Sequence, residues 1–423
     1  MRISTSLFYQ NGLNGILNQQ SQVAQLQSEL ASGKSVQTPG DDPLAAAQAI
    51  NVGQDSSMND AYASNRATAD QSLGTEENTL ASVTTAMQSV LQQIVQSGDG
   101  TMSDSDRQAM VTSLTSLRNQ LVGLANTTDG SGQYLFSGYQ GFTQPYVMDA
   151  ATGEVTYEGD QGQRTIQVEQ ARQFSSSDTG TDVFNRVTPG TSAYITTADS
   201  ANLGTGVFTP ASVGVPNSTN NVGMDFEVDF SIDPTGTLGY TVTMTDPQNP
   251  SAAPVTTAWT AYTDGANISM PGGGVSFSVS GTPSSGDSFT LDTPQNGQGT
   301  NMDMFQTLNN LITTLSRPSQ NDPVASAAIT NELATANKQL SLNYNNILTV
   351  RSSIGARMNE LDALNATGTE KGLSYTQQAS NLTEVDMYSV TSNLQMRLVA
   401  LQAATQSFSL VQSSSLFSMN AGK

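Results

Sequence analysis

The sequence predicts a mainly α-helical, elongated chain of several domains, with a β domain inserted and the N- and C-terminal helices paired as a coiled coil or helical bundle. Three observations predict it. Apolar residues recur in alternating steps of three and four at both ends, the texture changes to short two-residue alternation in the middle, and charge is scarce at both termini. A hydrophobic fraction of 36% over 423 residues is low for one compact globule and favours a segmented architecture.

At the N-terminal end Ile16, Val23 and Leu30 form one helical stripe, which Leu13, Leu17, Ala24 and Ala31 widen. Further on, Leu80, Val83, Met87, Val90 and Ile94 form a second stripe, and Met110, Leu114, Leu117, Leu121 and Leu124 a third, with the spacing of a coiled-coil seam. Gly98-Asp99-Gly100 breaks the helix between them, and Ser103, Asp104 and Asp106 suit the next helix start by capping and by the helix dipole. The result is a helical hairpin. The C-terminal part repeats the pattern with Ile329, Leu333, Ala336, Leu340, Tyr344, Ile347, Ile354, Met358 and Leu361, then Met387, Val390, Leu394, Leu398, Leu401 and Phe408. A lone amphipathic helix cannot bury its stripe, so the two ends are expected to pack on each other or on copies of themselves.

Between the helical arms the chain turns to Gly, Thr, Ser, Pro and Asn. Met224, Phe226, Val228, Phe230 and Ile232 alternate with Asp225, Glu227 and Asp229, which predicts a half-buried strand with an acidic solvent face. Tyr240-Val242-Met244, Val275-Phe277-Val279 and Phe289-Leu291 repeat the period, and Asp233-Pro234, Asp246-Pro247, Pro271-Gly272 and Thr282-Pro283 punctuate it. From Met1 to Gly40 the only charged side chains are Arg2, Glu29 and Lys34, and from Ser380 onward only Glu384, Asp386, Arg397 and Lys423. Helices so poor in charge expect to be covered by protein.

Composition excludes more than it suggests. Histidine and cysteine are both absent, which removes the usual general bases, zinc ligands and strong nucleophiles. Fifteen Lys and Arg against 36 Asp and Glu give a net charge of −21, which repels phosphate backbones and argues against nucleic acid as a partner. No signal-peptide pattern is visible at Met1 to Phe8, and no stretch has the length and apolarity of a membrane span, so membrane insertion is not expected.

Several motifs have simpler readings than the chemistry they suggest. Ser32-Gly33-Lys34-Ser35 looks like the end of a phosphate-binding loop, but Ser28 stands where its first glycine belongs, and Gly33 reads better as a helix C-terminal residue. Asp41-Asp42-Pro43 reads as a helix start rather than a carboxylate pair. Asp99, Asp104 and Asp106 lack the spacing of a calcium loop, and Asp225, Glu227 and Asp229 read as a solvated face. Trp259, with Tyr262 nearby, reads as β-domain core before it reads as a sugar platform. No catalytic, metal or cofactor residues are assigned.

The run Gln25 to Val36 followed by Pro39-Gly40-Asp41-Asp42-Pro43 resembles the entry of the flagellin-like family of axial proteins of the bacterial flagellum. Gly132-Gln133-Tyr134-Leu135-Phe136-Ser137-Gly138, Tyr157-Glu158-Gly159-Asp160-Gln161-Gly162 and Ile354-Gly355-Ala356-Arg357-Met358-Asn359 are similar to the hook-associated branch of that family, which forms the junction between hook and filament. Filament flagellins usually continue the paired aspartates with Ala-Ala-Gly, where this chain has Pro43-Leu44-Ala45, so filament flagellin is the alternative and a secreted glycan-binding adhesin a more distant one.

The resemblance implies a non-enzymatic structural subunit, extracellular and exported by the flagellar type III apparatus without a cleaved signal peptide. Its implied partners are copies of itself in a ring, a neighbouring hook-associated protein, flagellin and an export chaperone. Residues 1–45 with 375–423 are expected to form a terminal coiled-coil domain, 46–186 with 301–374 a helical bundle carrying a β-hairpin, and 187–300 an inserted β-rich outer domain. The expected assembly interface is Leu13, Ile16, Leu17, Val23 and Leu30 with Leu394, Leu398, Leu401 and Phe408.

Overall fold

A computed structural model describes residues 5–98, 102–215, 221–294 and 302–420, without the side chains of residues 5, 6, 8 and 412–420. Expectations for Asp99 and Gly100, for Arg2 and Lys423 and for the end of the insertion at Thr300 lie outside the described residues. The helices among the described residues are α1 (Thr5–Ser32), α2 (Pro43–Ser97), α3 (Asp104–Ala125), α4 (Gly180–Phe184), α5 (Met304–Leu315), α6 (Pro323–Thr383) and α7 (Met387–Asn420). The chain divides into two compact units, Met1–Asn65 with Ala363–Lys423, and Arg66–Asp362.

In the first unit α1 stops at Ser32 because Gly33 takes a left-handed conformation (φ 70°) and its N–H returns to the carbonyl of Glu29 at 2.8 Å. The turn that follows is tied to the end of α6, Ser35 N–H donating to Thr383 O at 2.8 Å and Val385 N–H to Gly33 O at 3.1 Å. Asp42 accepts the N–H groups of Leu44 and Ala45 at 3.0 Å each, so the Asp-Asp-Pro run is a helix start. Inside this unit the beginning of α2 meets the end of α6, where Asn59 Nδ2 donates to Gly368 O at 3.0 Å.

The second unit holds a helical bundle. Leu80, Val83, Met87, Val90 and Ile94 are all buried, as are Leu114, Leu121, Ile329, Leu333, Ala336, Leu340, Ile347, Ile354 and Leu361. Met110, Leu117, Leu124 and Tyr344 are only half-buried, while Val111, Arg118, Val122 and Asn343 are buried. A straight α-helix drifts against a seven-residue repeat, so a seam read off in steps of three and four slides by one position along a long helix. Ser103 and Asp106 form a capping box at the start of α3.

Two small hairpins pack on the bundle, β1 (Tyr146–Met148) with β2 (Val155–Tyr157), and β3 (Thr165–Glu169) with β4 (Arg172–Ser175). Under them Tyr146, Phe184 of α4 and Phe305 of α5 form an aromatic cluster, with centroids 4.9 to 5.9 Å apart, that Phe136 joins at 5.1 Å from Phe184.

The inserted region is a two-sheet sandwich. One sheet has the order β10-β9-β8-β14-β5, formed by β5 (Ile195–Ala198), β8 (Asp225–Ile232), β9 (Leu238–Thr245), β10 (Val255–Thr256) and β14 (Ser288–Asp292), with β11 (Thr260–Ala261) also on β9. The other sets β12 (Asn267–Ser269) beside β13 (Val275–Ser280), with β6 (Val207–Phe208) and β7 (Ser212–Val213) on its far edge. Phe226, Val228, Phe230, Val242 and Phe289 from the first sheet meet Phe208, Ile268, Phe277 and Val279 from the second. The sandwich also rests on α6, where Asn331 bonds Phe208 N–H at 3.0 Å and Gly206 O at 2.9 Å, and Thr335 Oγ1 bonds Thr196 O at 2.7 Å.

Two readings of this region change. Trp259 is half-buried outside the sandwich core, lying over Gly239 with its Nε1 donating to Ser231 O at 3.4 Å. Leu238 and Tyr240 point inward, so Gly239 faces out and leaves a flat site for the ring. Tyr262 does join the core, edge-on to Phe230. The acidic face of β8 is only partly open, because β8 is an inner strand: Glu227 is exposed, whereas Asp225 and Asp229 are half-buried and Asp225 accepts Thr293 N–H at 2.8 Å and Thr293 Oγ1 at 3.0 Å.

Candidate assembly surface

In the first unit α1 and α7 run antiparallel and pack along their length. Tyr9 meets Phe408 edge-on with centroids 5.6 Å apart, and Gly12 lies beneath the same ring, so close that a Cβ there would stand 3.0 Å from Phe408 Cδ2. Farther along, Gln19 and Arg397 exchange two long bonds of 3.4 Å. A shallow groove runs between the helices, floored by Gly12, Gly15, Ile16, Ala400, Ala404 and Phe408. Small residues let the two backbones approach and leave the groove open.

The nine expected interface residues divide into two groups. Val23 is buried, and Ile16, Leu30, Leu394, Leu401 and Phe408 are half-buried. Leu13 (49% exposed), Leu17 (51%) and Leu398 (39%) face outward with Leu7, Met387, Tyr388, Met396, Val399 and Leu410. The pairing covers one side of α7 and leaves apolar residues uncovered on others. Sequence reasoning missed Tyr9, Gly12, Ala400, Ala404 and the outward Met396, Val399 and Leu410. The signal for those on α7 was a segment with apolar residues on every side, which a soluble surface helix does not have; Tyr9 and Gly12 of α1 carried none.

Three of the fragments that carry the family resemblance, residues 132–138, 157–162 and 354–359, lie in the second unit, while residues 25–43 belong to the first. Asn126 clamps the main chain of Tyr146 with bonds of 2.8 and 2.9 Å. The carboxylate of Asp160 collects the N–H groups of Tyr139, Gln140 and Gly162 at 2.9, 3.1 and 2.7 Å, and these backbone bonds hold its pKa below the usual carboxylate range. Tyr157 Oη reaches the carbonyls of Phe136 at 2.9 Å and Asp160 at 2.8 Å. Arg357 of α6 binds Ser175 O at 3.2 Å and pairs with the Asp178 carboxylate. These motifs are thus a clasp that docks the hairpins on the bundle.

The remaining candidates are structural. The N–H groups of Gly33, Lys34 and Ser35 already bond Glu29 O, Ser32 Oγ and Thr383 O, so none is free to cradle a phosphate. Asp104 pairs with Arg107, and Asp106 caps α3. Among the described residues no group of three or more acidic side chains is arranged to hold a metal ion, and no helix is long and apolar enough to cross a membrane.

The family described as the bacterial flagellin N-terminal helical region matches residues 3–141. Flagellar hook-associated protein 3 of Salmonella typhimurium is 30% identical over 420 residues, spanning 99% of this chain and 100% of that protein. The chain belongs to the flagellar hook-associated protein 3 family. Solved structures agree: FlgL of Xanthomonas campestris is 27% identical, covers 77% of this chain and 98% of its own, and has a TM-score of 0.63. The flagellar junction protein FlgL of Legionella pneumophila is 27% identical, covers 80% of this chain and 100% of its own, and has a TM-score of 0.62. As a member of the hook-associated protein 3 family the chain is a flagellin-like structural component of the flagellum, mainly helical with a central β-rich region.

Proposed function

We propose that this chain forms the junction between hook and filament, performs no catalysis, and assembles through the α1/α7 pair. The observation that carries the reading is the apolar surface of α7 that α1 leaves uncovered, Met396, Leu398 and Val399, on a terminal arm with few charges. Copies of the chain packed in a ring would cover it, with Leu13 and Leu17 of α1 contributing to the same contacts. Residues 1–45 with 375–423 then serve as the axial coiled-coil domain, 46–186 with 301–374 as a helical bundle with its β-hairpin, and 187–300 as the inserted outer domain. One side of the ring contacts a neighbouring hook-associated protein and the other the first flagellins. Export runs through the flagellar type III apparatus, with a chaperone holding the C-terminal helices beforehand.

Filament flagellin remains the second reading, favoured by the match at residues 3–141. Electron microscopy of a deletion strain separates the two. Hooks without filaments, with flagellin shed into the medium, are expected of a junction protein. A strain that makes no flagellin polymer under any condition, yet secretes every other subunit, would identify the chain as the filament subunit.

A further inference from the structure

Glu76 of α2 is wholly buried in the second unit, with 0% of its surface exposed. Its Oε1 accepts the N–H of Asp178 at 3.1 Å, and its Oε2 has no hydrogen-bond partner among the described residues. The charged groups around it come from three other segments. Asp178 lies in the stretch after β4, Arg357 on α6, and Arg164 just before β3. Both cations direct their Nη groups elsewhere, and the buried Nε of each has no hydrogen-bond partner among the described residues. Arg357 bonds Ser175 O and the Asp178 carboxylate, while Arg164 directs Nη1 to Gln133 Oε1 at 2.6 Å and Nη2 to Tyr134 O at 3.1 Å. On its own helix the adjacent Glu77 is engaged by Arg351. A carboxylate at this place would be a buried anion beside another anion, with neither guanidinium bonded to it.

We propose that the folded chain carries Glu76 as a neutral carboxylic acid at neutral pH, and that this proton is a latch holding the segment 175–179 against α2 and α6. In the neutral form Oε1 keeps the Asp178 N–H, and the Arg357–Asp178 pair stays intact above it. Loss of the proton sets two carboxylates against each other, with Arg357 Nη2 already committed to Asp178. The segment, and the β3–β4 hairpin it continues, then loosens. Burial is the largest influence on the acid and raises its pKa well above 4.5, and the Asp178 charge raises it further. The Asp178 N–H and the Arg357 and Arg164 charges pull the other way and are outweighed.

The sign of the linkage follows. A carboxyl that binds its proton more tightly when folded makes the folded state the more protonated one in the window between the two pKa values. Stability therefore falls as pH rises from the ordinary glutamate range to the folded value, and Glu76 contributes no further change above it.

The test uses the full-length monomer, its Glu76→Gln variant and its Asp178→Asn variant. In wild type, infrared difference spectra at neutral pH should show the carbonyl stretch of a buried protonated carboxyl, and Glu76→Gln should remove it. The ratio of the wild-type to the Glu76→Gln folding constant should fall about tenfold per pH unit within the window, the slope of one proton. Base-corrected hydrogen exchange at Asp178 should accelerate through the same window in wild type alone. Asp178→Asn frees Arg357 and should move the loss of the carbonyl band to lower pH. Parallel stability curves for wild type and Glu76→Gln, or a wild-type spectrum without the band at neutral pH, would overturn the latch. Should Glu76→Gln fail to fold, the band in wild type and its displacement in Asp178→Asn still decide.

Discussion

Gly138 shows how a single backbone position holds the motif clasp together. Its φ of 72° lies where side chains are strained, and a Cβ there would meet the carboxylate of Asp160 and stand 2.5 Å from its main-chain oxygen. Both objections apply to alanine. Gly138→Ala is therefore expected to destabilise the second unit by about 3 kcal/mol, the strain of the conformation added to overpacking. Gly236 has φ 87°, but a Cβ added there would meet no atom within 4 Å, so Gly236→Ala should cost only about 1 kcal/mol. Equal losses in denaturant unfolding would show that contact with Asp160 contributes nothing. Leu398 presents the opposite case, because 39% of it is exposed in the single chain. Leu398→Asp should change monomer stability by less than about 1 kcal/mol. Filament attachment should nevertheless be lost, because burying an unpaired carboxylate in a packed seam costs several kcal/mol. Attached filaments in that variant would remove Leu398 from the interface.

At the scale of elements, α1 and α7 differ from the bundle helices in how much of their apolar surface is covered. Leu80, Leu114, Leu340 and Ile354 are shielded on all sides, whereas Leu13, Leu17 and Leu398 are not. A helix held by one partner over a shallow groove opens more readily than one in a closed bundle. In a verified monomer, amides at Leu17 and Leu398 should exchange faster than that at Leu117, and limited proteolysis should trim both ends before the core; equal protection of all three would contradict this. The contrast also marks what could be read in the sequence. The helical stripes and the strand alternation at Phe226, Val228 and Phe230 were legible because period alone reports which face is covered. The antiparallel pairing of Tyr9 with Phe408 was not, since it depends on residues far apart in the chain. Nor was the position of Trp259, which is decided by an outward-facing glycine on a neighbouring strand. The α5 stripe of Phe305, Leu308, Leu311 and Leu315 carried a clear helical period and was overlooked beside the β insertion.

At the scale of the whole molecule, the question is whether the inserted sandwich is needed for assembly. Its two chain ends are clasped, Gly190 N–H donating to Pro294 O at 3.0 Å, so residues 191–293 can be removed and the gap closed by a short flexible linker without moving the bundle. What the deletion uncovers is the α6 face of Asn331, Ala334 and Thr335. The two polar side chains there lose their partners in the sandwich but gain water, so they are not left buried and unsatisfied, and the net loss is about 1 kcal/mol for each bond. The bundle stripe of Leu80, Met87, Leu340 and Ile347 contains no residue from the sandwich. The shortened chain should therefore fold, be exported and attach filaments when it replaces the full gene in a deletion strain, with swimming as the readout. If it is stable and secreted but filaments still fail to attach, the sandwich belongs to the junction contact, and the division between axial helices and outer domain is wrong.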